Sequence, residues 1–129
     1  MKPKIPNMVA WNQAETLMQP ALIRIVDNLT QQIEPTAWKA TYEEIQDPYP
    51  GYRLHLNASD RHVELDLWNL CYRVCFRDYP TDADPSADTE IEVAIDTHLL
   101  DNDREVNWNR LDDKAKQVVG QVFENLPAV

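Results

Sequence analysis

Residues 52–77 read YRLHLNASDRHVELDLWNLCYRVCFR, and the way this stretch pairs with itself decides the fold. Its first half alternates with period two. Tyr52, Leu54 and Leu56 are interleaved with Arg53 and His55, then Val63, Leu65 and Leu67 with His62, Glu64 and Asp66. That is the pattern of two half-buried strands. Asn57-Ala-Ser-Asp60 between them is turn chemistry. With 57–60 as a four-residue loop, Leu54 faces Val63 and Tyr52 faces Leu65 on one side of the hairpin. His55 then faces His62, and Arg53 faces Glu64, on the other. Apolar meets apolar and opposite charges meet, as an antiparallel pair requires. Beyond Trp68 two periods compete. Leu70, Tyr72, Val74 and Phe76 alternate with Cys71, Arg73, Cys75 and Arg77, whereas Leu67, Leu70, Cys71 and Val74 match helical spacing. The β-branched and aromatic content favours a fourth strand over 69–77.

Outward from this stretch, Trp38, Ala40 and Tyr42 alternate with Lys39, Thr41 and Glu43 in a first strand near 37–45, closed by the turn Asp47-Pro-Tyr-Pro-Gly51. Ile91, Val93 and Ile95 alternate with Glu90, Glu92 and Asp96 in a fifth strand, and 78–88 and 98–108 read as loops. Leu17, Met18, Ala21, Leu22, Ile25, Val26, Leu29 and Ile33 fall on one face of a helix from about Gln13 to Glu34. Asn12 and Glu15 suggest its capping box, Pro20 a kink or a restart, and Pro35 its stop. A last helix, capped by Asn109 or Asp112, carries Ala115, Val118, Val119, Val122, Phe123 and Leu126 and stops at Pro127. The order predicts an α+β fold. An antiparallel sheet of about five strands has the N- and C-terminal helices packed on one face, in a single domain over 1–129 with 1–10 as a loose arm. The open face would carry Arg53, His55, His62, Glu64, Asp66, Arg73, Arg77, Glu90 and Glu92.

Composition excludes whole classes of function. At 129 residues and 43% hydrophobic the chain is long and apolar enough to bury one core. No apolar run reaches the roughly 18 residues of a membrane span, so no membrane association is expected. A net charge of −10 argues against gripping nucleic acid. That charge is localised. Residues 78–113 hold twelve acids and two bases, so the remainder of the chain is formally neutral. With only two glycines, Gly51 and Gly120, phosphate-cradling loops are nearly excluded. Cys71 and Cys75 on one strand face would lie ~13 Å apart, beyond the roughly 7 Å a disulfide tolerates. They read as reduced thiols, and the N-terminus lacks the apolar core of a secretory signal, so a cytoplasmic setting is expected.

Candidate chemistry is sparse. His55 and His62, facing each other across the hairpin, form a candidate metal pair with Glu64 or Asp66 as further ligands. The plain alternative is two surface histidines on a charged sheet. The carboxylate pairs Glu64/Asp66 and Glu90/Glu92 fit an ion-pair ladder more economically than a magnesium site. Asp101-Asn-Asp-Arg-Glu105 starts like a calcium loop. Val106 stands where that loop needs glycine and Asp112 where it needs glutamate, so a turn before the last helix is simpler. Cys71 has no histidine placed to activate it, and buried structural thiols are the simpler reading. Trp38 suits the core, whereas Trp11 and Trp108 sit at helix approaches, where an aromatic can anchor an interface.

Two functions follow. The first is a non-catalytic accessory or adaptor protein without a cofactor. It would bind a basic protein surface through the acidic 78–113 segment, with Asp82, Asp84, Asp88, Asp101, Asp103, Glu105 and Trp108 as contact residues. The alternative is a metal-dependent hydrolase on the open sheet face. A homo-oligomer through the charged face or an edge strand is compatible with either.

Overall fold

The computed structural model describes residues 2–46, 50–77, 79, 90–102 and 104–126. A short strand β1 (Lys2–Lys4) leads into helix α1 (Met8–Ile33), followed by β2 (Lys39–Ile45), β3 (Gly51–Ala58) and β4 (Arg61–Asp66). Helix α2 (Leu67–Cys75) comes next, then the short strands β5 (Phe76–Arg77), β6 (Glu90–Glu92) and β7 (Ala94–Ile95). A 3-10 turn (Thr97–Leu99), β8 (Leu100–Asp101), β9 (Glu105–Val106) and helix α3 (Trp108–Glu124) complete the described chain. The fold is mixed α+β, but not one five-stranded sheet. Among the described residues the largest sheet has three strands in the order β2-β3-β4, and β1-β6, β5-β7 and β8-β9 are separate pairs.

The decisive departure from the sequence expectation is α2. Residues 67–75 are helical, not a fourth strand. Asp66 explains the switch. Its side chain accepts from the backbone N–H groups of Trp68 and Asn69, at 2.8 and 3.3 Å, and so caps a helix exactly where β4 ends. The helical face then buries Leu67, Leu70, Cys71, Val74 and Cys75 together, whereas a strand would have sent Cys71 and Cys75 to the face opposite Leu70 and Val74. Burial of five side chains outweighs a β-propensity difference that spans about 1 kcal/mol per residue. Cys71 and Cys75 consequently lie one helical turn apart, both buried and both free.

The β3–β4 hairpin is tighter than the four-residue loop expected. Ser59 takes a left-handed φ of 52°, so Ser59-Asp60 alone reverse the chain and Ala58 pairs with Arg61. The register moves by two residues: His55 faces Glu64, Asn57 faces His62, Leu54 faces Leu65 and Leu56 faces Val63. No Asn-Gly or Asp-Gly marks this turn, which is why the sequence suggested a longer one. An even shift preserves the faces, so Leu54 and Leu56 are buried and the histidines stay on the open side.

Other boundaries also move. The expected loose arm is ordered from Lys2, whose strand pairs in parallel with Glu90–Glu92. Helix α1 starts at Met8, capped by Asn7 and not Asn12, and runs unbroken past Pro20. Helix α3 is capped by Asn107, whose side chain accepts from Arg110 N–H, and not by Asn109 or Asp112. The expected fifth strand divides into β6, on β1, and β7, on β5. The region 98–108, expected irregular, contains the β8–β9 pair. The turn residues 47–49 and the stop at Pro127 lie outside the described residues.

Helix α2 is the centre of the core. It packs on α1, α3, β3 and β4, while α1 also packs along α3. The shared core takes Leu17, Ala21, Ile25 and Leu29 from α1, Leu111, Ala115 and Val119 from α3, and Leu54 and Leu56 from β3. Polar pins hold the helices in register. Buried Asn28 donates to Arg24 O at 2.8 Å and to Asp112 Oδ1 at 3.3 Å, joining α1 to α3. Arg73 donates to Gln121 Oε1 at 3.1 Å, joining α2 to α3. On the opposite face of the β2-β3-β4 sheet, Lys39, Glu43, Asn57, His62 and Glu64 are exposed among the described residues. No helix among the described residues is long and apolar enough to cross a membrane.

Candidate metal centre

The period-two pattern of β2, β3 and β4 puts Glu43, Arg53, His55, Asn57, His62, Glu64 and Asp66 on the face turned away from the core. Three of them converge. His55 Nδ1 lies 3.3 Å from His62 Nε2, His62 Nε2 lies 3.2 Å from Glu64 Oε1, and His55 Nδ1 lies 3.6 Å from the same oxygen. The three atoms form a triangle of donors, and this is the cluster among the described residues that could hold a metal ion. The size of the triangle is informative. Zinc bonds of about 2.0–2.1 Å at tetrahedral angles put neighbouring donors about 3.3 Å apart.

The outer atoms of both rings are also engaged. His55 Nε2–H donates to Glu43 Oε1 at 3.2 Å, and His62 Nδ1–H donates to Asn57 Oδ1. A carboxylate and an amide oxygen only accept, so these bonds place the imidazole protons on the outer nitrogens. In that tautomer the inner nitrogens of both rings present lone pairs toward Glu64 Oε1. A cation at that point relieves the repulsion. An oxygen acceptor behind each ligating histidine is the usual outer support of a metal site, because it fixes the tautomer and the ring plane.

The sequence named His55, His62 and Glu64, and the fold brings them together despite the changed register. In place of direct opposition, the histidines meet diagonally with ring centroids 5.2 Å apart. Asp66, the other carboxylate suggested, is occupied in capping α2, and its burial pushes its pKa up. Glu43 and Asn57 were missed as supports. The alternation of β2 put Glu43 on the right face, but only the β2–β3 register puts it beside His55. Arg73 and Arg77, expected on this face, lie elsewhere: Arg73 on α2 and Arg77 beside Thr97, to which it donates at 3.0 Å. Glu90 and Glu92 belong to the separate β1-β6 pair.

The acidic contact residues fare differently. Asp82, Asp84, Asp88 and Asp103 lie outside the described residues. Asp101 accepts from Asn107 at 3.1 Å, and Glu105 is exposed on β9. Trp108 opens α3 with 45% of its surface exposed and its ring under the Arg24 guanidinium, 4.9 Å from the centroid. Asp96 is partly neutralised by Lys114, at 2.6 Å. An apolar groove of about 590 Å³ lies between α1 and α2, lined by Ile5, Trp11, Met18, Leu22, Trp68 and Tyr72. Glu15, which also lines it, accepts from the Trp11 indole at 2.9 Å.

Comparison of the chain with protein-family models, with curated proteins and with solved structures finds no match. The functional reading therefore stands on this geometry.

Proposed function

We propose that this chain is a metal-binding protein that holds one zinc-class divalent ion through His55 Nδ1, His62 Nε2 and Glu64 Oε1, with a fourth position open to solvent. The observation that carries the reading is the three-donor triangle, 3.2–3.6 Å on a side, with the outer nitrogen of each ring bonded to an oxygen acceptor. Two imidazoles and one carboxylate suit zinc and its transition-metal neighbours better than magnesium or calcium, which prefer oxygen. Three protein ligands with an open position are the arrangement of catalytic zinc, which lowers the pKa of a bound water to about 7. Metal-assisted hydrolysis is therefore the activity class to assay. The test is calorimetric titration of the purified chain with zinc and with magnesium. Zinc binds at one equivalent and magnesium does not. His62→Ala abolishes binding, and Glu43→Gln weakens it by about 10–100-fold. Equal zinc affinity in wild type and His62→Ala sinks the proposal.

A second reading is favoured by exposed Trp108 at the start of α3, close in sequence to the exposed Asp101 and Glu105 of the β8–β9 pair. In it the chain is a non-catalytic accessory protein that engages a basic protein surface. Such binding weakens steeply between 50 and 300 mM salt and falls on substitution of Trp108 by alanine. Capture of a defined basic protein that is indifferent to salt removes it.

A further inference from the structure

We infer that the open position of this metal site takes an oxyanion, a phosphoryl or carboxylate group, which Arg53 holds on its second oxygen. The inference rests on the metal reading above. Arg53 stands two residues before His55 on β3, on the same face, and its side chain is 40% exposed. It flanks the cluster without being consumed by it. Its Nε is 4.0 Å from Glu64 Oε2 and its Nη1 is 3.7 Å from Glu43 Oε1, both longer than hydrogen bonds. A guanidinium has five N–H donors in a fork that matches a carboxylate or phosphate, so this one retains donors for a ligand. The Glu64 carboxylate offers Oε1 to the metal triangle and turns Oε2 toward Arg53. The guanidinium is thus one carboxylate width from the ion's position. An oxyanion with one oxygen on the metal places another within reach of the same fork.

Charge decides when this happens. Among the described residues, this face of β2, β3 and β4 carries the carboxylates of Glu43, Glu64 and Asp66 and the cations of Lys39 and Arg53. The formal charges of these five side chains sum to minus one, which repels an anion. One divalent ion reverses the sign. Oxyanion binding is therefore conditional on the metal.

Cobalt is the probe, because its visible absorption reports on its ligands. Wild-type protein, Arg53→Met and Arg53→Lys are loaded with Co²⁺ and titrated with inorganic phosphate, with acetate and, as a control, with chloride. The expected result is a saturable spectral change with at least one oxyanion in wild type and no binding of that oxyanion to the metal-free protein. In Arg53→Met, cobalt still binds but the oxyanion binds about ten- to a hundredfold more weakly. Arg53→Lys, which keeps the charge and loses the fork, falls between. A response to phosphate alone or acetate alone identifies the group accepted. A normal cobalt spectrum indifferent to both anions, or an unaltered response in Arg53→Met, overturns this inference and leaves the metal reading standing. Absence of any cobalt spectrum overturns both.

Discussion

Gly51 opens β3 directly under the Trp68 side chain. A Cβ at this position would come within 2.5 Å of the indole Nε1 and 2.6 Å of Cδ1. The indole is anchored there, since its N–H donates to Pro50 O at 3.0 Å, so the ring cannot yield without losing that bond. The Gly51→Ala variant is accordingly expected to lose about 1–3 kcal/mol of stability. Chemical denaturation followed by tryptophan fluorescence measures this, and an unchanged midpoint refutes it. The same scale governs the metal site. What distinguishes His55 and His62 from two ordinary surface histidines is a single acceptor behind each ring, Glu43 and Asn57. Residue type and alternation along β3 and β4 reveal the ligands. The supports come from across the sheet and are invisible until the register is known.

At the scale of elements, α1 and α2 show how local preference is overruled. Pro20 lies well inside α1, yet the helix continues through it to Ile33. Proline has no N–H to bond the Thr16 carbonyl, and in a helix interior it costs about 3 kcal/mol relative to alanine. Burial of Leu17, Ala21, Ile25 and Leu29 against α2 and α3 compensates. Pro20→Ala is therefore expected to stabilise the protein by about 2 kcal/mol, once the proline's restraint on the unfolded chain is subtracted. Thermal unfolding of the variant checks this, and a lower melting temperature contradicts it. In α2 the sequence carried both periods, and strand propensity suggested the wrong one. The deciding residue is Asp66, whose side chain caps α2. By pattern alone it is the last polar position of a strand, because the alternation of 61–66 runs straight into it.

At the scale of the whole molecule, the two thiols of α2 link the core to alkaline stability. Burial is the main cause of both shifts, and it pushes Cys75 up to about 12 and Cys71 well above its ordinary value. The folded state therefore holds these protons more tightly than the unfolded state does. The associated stability is intact below the ordinary thiol pKa of 9.0 and is lost as pH climbs from there toward about 12. Each thiol contributes a slope of at most about 1.4 kcal/mol per pH unit in that window. Urea unfolding at pH 8, 9, 10 and 10.5 should show stability falling more steeply for wild type than for the Cys71→Ala/Cys75→Ala double variant. Parallel slopes would show that the thiols do not ionise on unfolding in the way burial implies.

The sequence alone determined which side chains share a face. A period of two fixes the faces of β2, β3 and β4, and a period of 3.6 fixes the buried stripes of α1 and α3, because each follows from backbone geometry alone. It therefore yielded a mixed α+β class, the buried Leu54 and Leu56, and His55, His62 and Glu64 on one exposed surface. Only the tertiary structure decided the two-residue turn at Ser59-Asp60, the helical state of 67–75 and the separation of the short strand pairs. Those choices depend on energies that local pattern does not contain: a left-handed backbone accepted at Ser59, five side chains buried together, and partners supplied by distant parts of the chain. The proposed centre needs both kinds of information, since its ligands are set by alternation and their convergence by register.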